Sequence, residues 1–154
     1  MRIAIAADHA GYPIKAPLID DLRNAGHEVT DLGTHDPTTP SDYPDIATLV
    51  CEAIRGGTAE RGIALCGSGV GVSVAANKFP DIRAGVCHDT YSAHQGVEHD
   101  DMNVVCLGAR IIGPELAREI VRAFVSARFS GEPRHARRVE KLRAIEARFV
   151  GRGA

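Results

Sequence analysis

Tryptophan is absent from the 154 residues, and aromatic side chains make up only 5% of the chain. So few flat rings argue against stacking the bases of single-stranded nucleic acid. An excess of charge is also lacking: 18 Lys+Arg against 20 Asp+Glu leave a formal −2, too little bias for a general polyanion binder. No apolar run approaches the ~20 residues that a membrane span requires. The run Met1-Arg2-Ile3-Ala4-Ile5-Ala6-Ala7 meets Asp8 and His9 at once, too soon for a secretory core, and reads as a first strand. The four cysteines, Cys51, Cys66, Cys87 and Cys106, form no C-x-x-C pair, so metal and redox spacings are missing and a disulfide framework is not expected. All but Cys66 sit in apolar stretches, as buried free thiols do. These absences point to a reduced, cytoplasmic protein that engages neither nucleic acid nor membrane.

What is present suits one globular unit. The apolar share is 44% and the charged share 25%, in a chain long enough for a single core. We read residues 1–150 as one domain and 151–154 as a short tail. Short apolar runs at Ile3–Ala7, Glu28–Leu32, Gly62–Cys66, Ala84–Cys87 and Val104–Leu107 have the character of parallel strands covered on both faces. Between them lie helical stretches over Gly11–Ala25, Tyr43–Gly56, Val70–Lys78, Thr90–Val97 and Pro114–Phe129. Gly26 and Gly56-Gly57 are natural stops, and Pro44 and Pro114 fit first-turn positions. Alternation of this kind implies an α/β fold with a five-stranded parallel sheet. From Arg134 onward seven basic residues stand against Glu140 and Glu146, a local +5 that marks a basic C-terminal helix. It is either a solvated face or, with Arg134 and Arg138 four apart, a holder of an anion such as phosphate.

Ligands of open parallel sheets bind beyond the carboxyl ends of the strands. Asp8-His9-Ala10-Gly11 follows the first strand and Cys66-Gly67-Ser68-Gly69-Val70-Gly71 the third. The glycine loop opens a helix and would let backbone N–H groups approach an anion. It matches neither G-x-G-x-x-G nor a P-loop, and glycines at such a junction can be no more than a tight turn. Asp89, about 20 residues past the loop, is where a dinucleotide fingerprint wants its acid, but the glycine spacing and the strand are wrong. A thiol at a helix N-terminus beside free N–H groups is a usable base or nucleophile, and equally could be a buried structural cysteine. Asp8 could cap the following helix, and His9 could be structural. His88-Asp89, His94 and His99-Asp100-Asp101 are rich in metal-ligating types, yet His94 and His99 are five apart where one helix face wants three or four. A metal site is not expected. The third polar cluster, His99-Asp100-Asp101-Met102-Asn103, precedes the fifth strand and so lies at the wrong end for the same crevice. A thiol base facing N–H donors, with arginines for an anion, suits proton abstraction beside a carbonyl through an enediolate.

Seven motifs in order carry a resemblance: Asp8-His9-Ala10-Gly11, Asp42-Tyr43-Pro44, Cys66-Gly67-Ser68-Gly69-Val70-Gly71, Ala75-Ala76-Asn77-Lys78, Arg83-Ala84, Gly108-Ala109-Arg110 and Arg134-His135-Ala136-Arg137-Arg138. Over about residues 1 to 149 the chain resembles the B-type ribose-5-phosphate isomerases, whose family includes galactose-6-phosphate and allose-6-phosphate isomerases. The resemblance implies a Rossmann-like three-layer sandwich. It also implies a homodimer with active sites between subunits, with pairing into tetramers left open, and neither metal nor organic cofactor. That dimer would let the His99 segment of one subunit complete the site of the other. Cys66 resembles the base that moves a proton between C2 and C1. Some members use a glutamate after the glycine loop, where this chain has Val72. Gly67, Ser68, Gly69 and Gly71 would line the anion hole, and His99 with Asp8 would open the furanose ring. Tyr43 would contact the sugar. His9, Arg134 and Arg138 match phosphate-binding positions, with Arg110 expected to reach across from the partner.

One position departs from the pattern. The family usually has His-Asn-Asp-x-Asn where this chain has His99-Asp100-Asp101-Met102-Asn103. An asparagine can donate to a sugar oxygen, whereas an ionised carboxylate cannot. Asp100 therefore either accepts from a substrate hydroxyl or marks a changed preference among sugar phosphates. The same chemistry on a tetrose or hexose phosphate is the neighbouring expectation. A non-catalytic sugar-phosphate binding module would need the arginines and the glycine loop, but has no use for Cys66 or His99.

Overall fold

The computed structural model describes residues 1–149, so the 151–154 tail, with Arg152, lies outside the described residues. Five strands alternate with six helices among them: β1 (Arg2–Ala7), α1 (Lys15–Asn24), β2 (Glu28–Asp31), α2 (Tyr43–Arg55), β3 (Arg61–Cys66), α3 (Val70–Ala76), β4 (Ala84–Val86), α4 (Thr90–Asp100), β5 (Val104–Gly108), α5 (Pro114–Ser126) and α6 (Pro133–Phe149). The strands are parallel, in the order β2-β1-β3-β5-β4.

Strand alternation sorts the core into two layers. Ile3, Ile5, Ile63, Leu65, Val105 and Leu107 face one side, where Leu18 and Leu22 of α1, Val97 of α4 and Ile120 and Phe124 of α5 cover them. Ala6, Ala64, Cys66 and Cys106 face the other side, under Val50 and Cys51 of α2 and Val72 and Ala76 of α3. Side chains on that second face are small, so α2 and α3 can sit close to the sheet. Helices on both faces of a parallel sheet give the expected three-layer sandwich. No helix among the described residues is long and apolar enough to cross a membrane.

Several boundaries differ from the sequence reading for local reasons. The first helical stretch opens as a 3-10 turn at Tyr12–Ile14 before α1 begins. α4 runs on to Asp100 and is closed by Asp101 in the left-handed region (φ 53°). Past the expected end at Val97 the helix continues through Glu98, His99 and Asp100, and the Met102 side chain packs beside Gly96. His99 therefore rides on the last turn of a helix. α5 ends at Ser126, short of Phe129, and Arg61 from the sheet donates to the carbonyls of Phe124 and Ala127. Such a donor satisfies carbonyls left open at a helix C-terminus.

Candidate active site

From the centre of the sheet β1 leads outward to β2, while β3 leads to the opposite edge through β4 and β5. The carboxyl ends of β1 and β3 thus flank the point where the connections part, the usual place for a ligand crevice. A cavity of about 430 Å³ opens there, lined by Asp8, His9, Tyr43, Cys66, Ser68 and Arg110, with Gly67 and Gly71 in its wall.

Cys66 is the last residue of β3 and is 4% exposed. The Gly69 N–H donates to its Sγ at 3.0 Å, so charge on the sulfur has a donor to face. That contact depends on a left-handed turn at Gly69 (φ +78°), a conformation a side chain would strain. The carbonyls of Cys66 and Gly67 accept from Ala109 and Arg110 N–H at 2.9 and 3.0 Å. Across the same two peptides, the N–H groups of Gly67 and Ser68 are turned the opposite way. Gly108 makes the docking possible, since a Cβ there would lie 2.5 Å from the Ser68 carbonyl carbon. The N–H of Gly108 donates to His88 Nε2 at 3.1 Å, fixing the end of β5 against the loop. Ser68 Oγ accepts from Val70 N–H at 3.2 Å, which leaves its hydroxyl proton free to donate elsewhere.

Asp8 is 6% exposed. Its Oδ1 accepts from Ala10 and Gly11 N–H at 2.9 and 2.8 Å, which closes the turn after β1. It does not cap the helix, whose 3-10 start and α1 are capped by Gly11 and Ile14 with no side-chain hydrogen bond. Oδ2 makes no hydrogen bond among the described residues, and Asp8 belongs to the wall of the cavity. His9 is clasped by Ser41: its own N–H donates to Ser41 Oγ at 3.1 Å, and its Nδ1 accepts the Ser41 N–H at 3.3 Å. With Nδ1 accepting, the neutral ring carries its proton on Nε2. Ser41 is reached through a loop tied down by Lys15, a buried lysine that donates to Asp31 Oδ1 at 2.8 Å and to the Thr34 carbonyl at 2.6 Å. The Tyr43 ring lies against Gly71, about 3.0 Å from where a Cβ would stand.

The remaining expected residues lie elsewhere. His99 and Asp100 end α4, ahead of β5, on the amino edge of the sheet, and Arg134 and Arg138 are on the first turns of α6. The two groups meet through His135, whose ring stacks on that of His99 with centroids 4.0 Å apart. Arg134 is exposed and donates to Glu132 at 2.9 Å. One chain therefore holds the expected residues in two groups: Asp8, His9, Tyr43, Cys66, Ser68 and Arg110 at the carboxyl edge, and His99, Arg134 and Arg138 at the amino edge. The expectation that Arg110 enters from a partner is corrected. It is packed against Gly67 beside its own chain's Cys66, because the β5 end that carries it pairs with the glycine loop. His9 is likewise separated from Arg134 and Arg138. Asp100 does not reach the Cys66 cavity of its own chain. It lines a separate cavity of about 560 Å³ between β4, α4 and α6.

The other three thiols are structural. Burial pushes Cys51 and Cys87 up to about 11, and Cys106 higher still. Sequence reasoning assigned no role to Ser41, His88 or His135. Each makes its contact across a wide stretch of chain or within a motif whose arginines drew attention first, so no local signal marks it.

A family model described as "Ribose/Galactose Isomerase" matches residues 3–142. The chain belongs to that family. It is 45% identical over 147 residues to ribose-5-phosphate isomerase B of Escherichia coli, covering 96% of this chain and 97% of that one. It is 46% identical to D-erythrulose-4-phosphate isomerase of Pectobacterium atrosepticum, covering 92% and 93%. The solved structure of Clostridium thermocellum ribose-5-phosphate isomerase B superposes with a TM-score of 0.93 at 46% identity, covering 97% and 99% of the two chains. Both groups of residues fall inside the 3–142 span matched by the ribose/galactose isomerase family.

Proposed function

We propose that this family member is an aldose–ketose isomerase that interconverts ribose 5-phosphate and ribulose 5-phosphate in sites shared between two copies of the single-domain chain. The observation that carries the reading is the Cys66 sulfur. It borders a cavity, faced by the Gly69 N–H, and shares the cavity wall with the Asp8 carboxylate and the Arg110 guanidinium. The two relatives named as isomerases of a pentose and a tetrose phosphate support the substrate class.

The chemistry moves protons only. In ring opening the C1–O4 bond of the furanose breaks and its electron pair goes to O4, which takes a proton from His99 of the partner subunit. The O1 proton passes to Asp8 Oδ2 as C1=O1 forms. Cys66, as thiolate, then removes the C2 proton. Electrons flow into C1=C2 and onto O1, and the charge meets the N–H groups of the glycine loop and the Ser68 hydroxyl. Return of the proton from Cys66 to C1, with transfer of the O2 proton to O1, gives the ketose. His9 Nε2, Arg110 and the partner's Arg134 and Arg138 would hold the phosphate. No step requires a metal or an organic cofactor.

Two exposed apolar faces support the shared site. Val70 and Val74 on α3 are 55% and 56% exposed, and Leu142, Ile145 and Phe149 are exposed along α6, Leu142 and Ile145 at the cavity of about 560 Å³. Clustered apolar surface of this kind marks an interface, and one two-fold axis would bring each half-site to its complement.

The test is turnover of ribose 5-phosphate and of D-erythrulose 4-phosphate by the purified protein, with EDTA present. We expect metal-independent conversion of the pentose. Conversion of the tetrose alone would favour the second reading, for which Asp100 and the Pectobacterium relative speak. No turnover of either would return the binding-module reading. Arg138→Ala is expected to raise KM for ribose 5-phosphate roughly tenfold with little change in kcat, since a charge-assisted phosphate contact is worth about 1.5–3 kcal/mol. An unchanged KM would place the phosphate elsewhere.

A further inference from the structure

We propose that His135 is a positioning residue, whose buried ring, tethered to Ser130, holds the His99 imidazole in the orientation that ring opening needs. The inference rests on the proposed role of His99 and adds a residue to it. The two rings stack with an interplanar angle of 28° and centroids 4.0 Å apart. His99 retains 29% of its side-chain exposure, as a proton donor to a ligand must, whereas His135 is 1% exposed and reaches no ligand itself. What His135 can do is present a flat wall. That wall is fixed from behind: Ser130 Oγ lies 2.6 Å from His135 Nδ1 and accepts the Glu132 N–H at 3.3 Å. The Ser130 N–H donates to the Glu98 carbonyl at 3.0 Å, so the tether spans from the end of α4 to the start of α6. Without this wall His99, on the last turn of its helix, has among the described residues only the Glu98 carboxylate at 3.6 Å to hold it. That separation is too long for a hydrogen bond.

Charge favours the same division of labour. The charged or titratable groups facing the pair are Glu98 and Glu132 on one sign and Arg134 and Arg138 on the other. Burial, and then the neighbouring His99 and Arg134, lower the pKa of His135 below the ordinary histidine value. Two imidazolium rings in contact repel, so the lowering of His135 opposes charge on the ring that forms the wall.

The test uses the full chain with His135→Ala, His135→Phe and Ser130→Ala. Turnover of ribose 5-phosphate, which must be ring-opened, is compared with turnover of D-erythrulose 4-phosphate, which is acyclic because its O4 carries the phosphate. The mobility of the His99 ring is read in parallel by imidazole NMR. His135→Ala should lower kcat for the pentose about tenfold or more, as loss of an orienting partner does, and broaden the His99 resonance. Tetrose turnover should stay within about twofold, and Phe, which restores a flat face, should recover most of the pentose rate. Equal losses on both substrates with an unchanged His99 resonance would overturn the proposal, as would a full pentose rate in the Ala variant. If the wild type does not turn over the tetrose, the resonance and the Phe rescue decide. If His135→Ala does not fold, Ser130→Ala loosens the ring without opening a cavity and should give the same split at smaller amplitude. Absence of wild-type turnover on either sugar would defeat the proposed function, while the resonance would still report whether residue 135 holds His99.

Discussion

Replacing Cys66 with Ala is expected to lower kcat for ribose 5-phosphate by about a thousandfold or more, roughly 4 kcal/mol of barrier, because it removes the group that takes the C2 proton. The substitution deletes one sulfur atom at the end of β3 and leaves the neighbouring carbonyl contacts with Ala109 and Arg110 in place. The loop should therefore keep its shape. Binding of a non-reacting ester such as ribitol 5-phosphate should stay within about threefold, since base and phosphate anchors are separate residues. Titration calorimetry beside steady-state kinetics separates the outcomes. A parallel collapse of ester binding would show that Cys66 shapes the loop and would move the base elsewhere. Val72, at the position where some relatives of this kind carry a glutamate, is fully buried and cannot take over.

A second result of comparable size concerns subunits. Cys66→Ala and His99→Asn chains should each be nearly inactive alone on ribose 5-phosphate. Mixed under conditions that allow exchange, they should recover roughly a quarter of wild-type activity. Half of the random dimers pair the two variants, and each such dimer has one site with both Cys66 and His99 intact. The expectation follows from the placement of the two residues at opposite edges of one parallel sheet. Mass spectrometry of the mixture establishes whether exchange has taken place. Exchange without recovered turnover would mean that His99 does not complete the Cys66 site of a second chain.

The sheet was legible because parallel strands buried on both faces write themselves as near-continuous apolar runs, and five such runs stand out. Helix ends were less so. α4 outran its expected end at Val97 by three residues and closes only at Asp101 in the left-handed region, a backbone conformation that an aspartate does not announce. The grouping of Asp8 and His9 with Cys66 was readable since they follow strands one and three, and adjacency of those strands brings them together. The hand of Arg110 was not, because it depends on which carbonyls the end of β5 meets. His135 escaped notice for a different reason. Its neighbours Arg134 and Arg138 display their chemistry as charge, whereas its own consists of a ring face and a hydrogen bond to Ser130, neither visible in a string of letters.

The uneven treatment of the four thiols has a practical side. Cys51 and Cys106 are sealed in the core, Cys87 lines the cavity of about 560 Å³, and burial holds all three in the protonated form through neutral pH, so an alkylating reagent has little thiolate to attack there. Cys66 borders a cavity open to small molecules. One equivalent of label taken up per chain thus becomes a tally of intact sites. A preparation that is folded but partly dead can be told from one that is slow throughout, with no need to know its sugar.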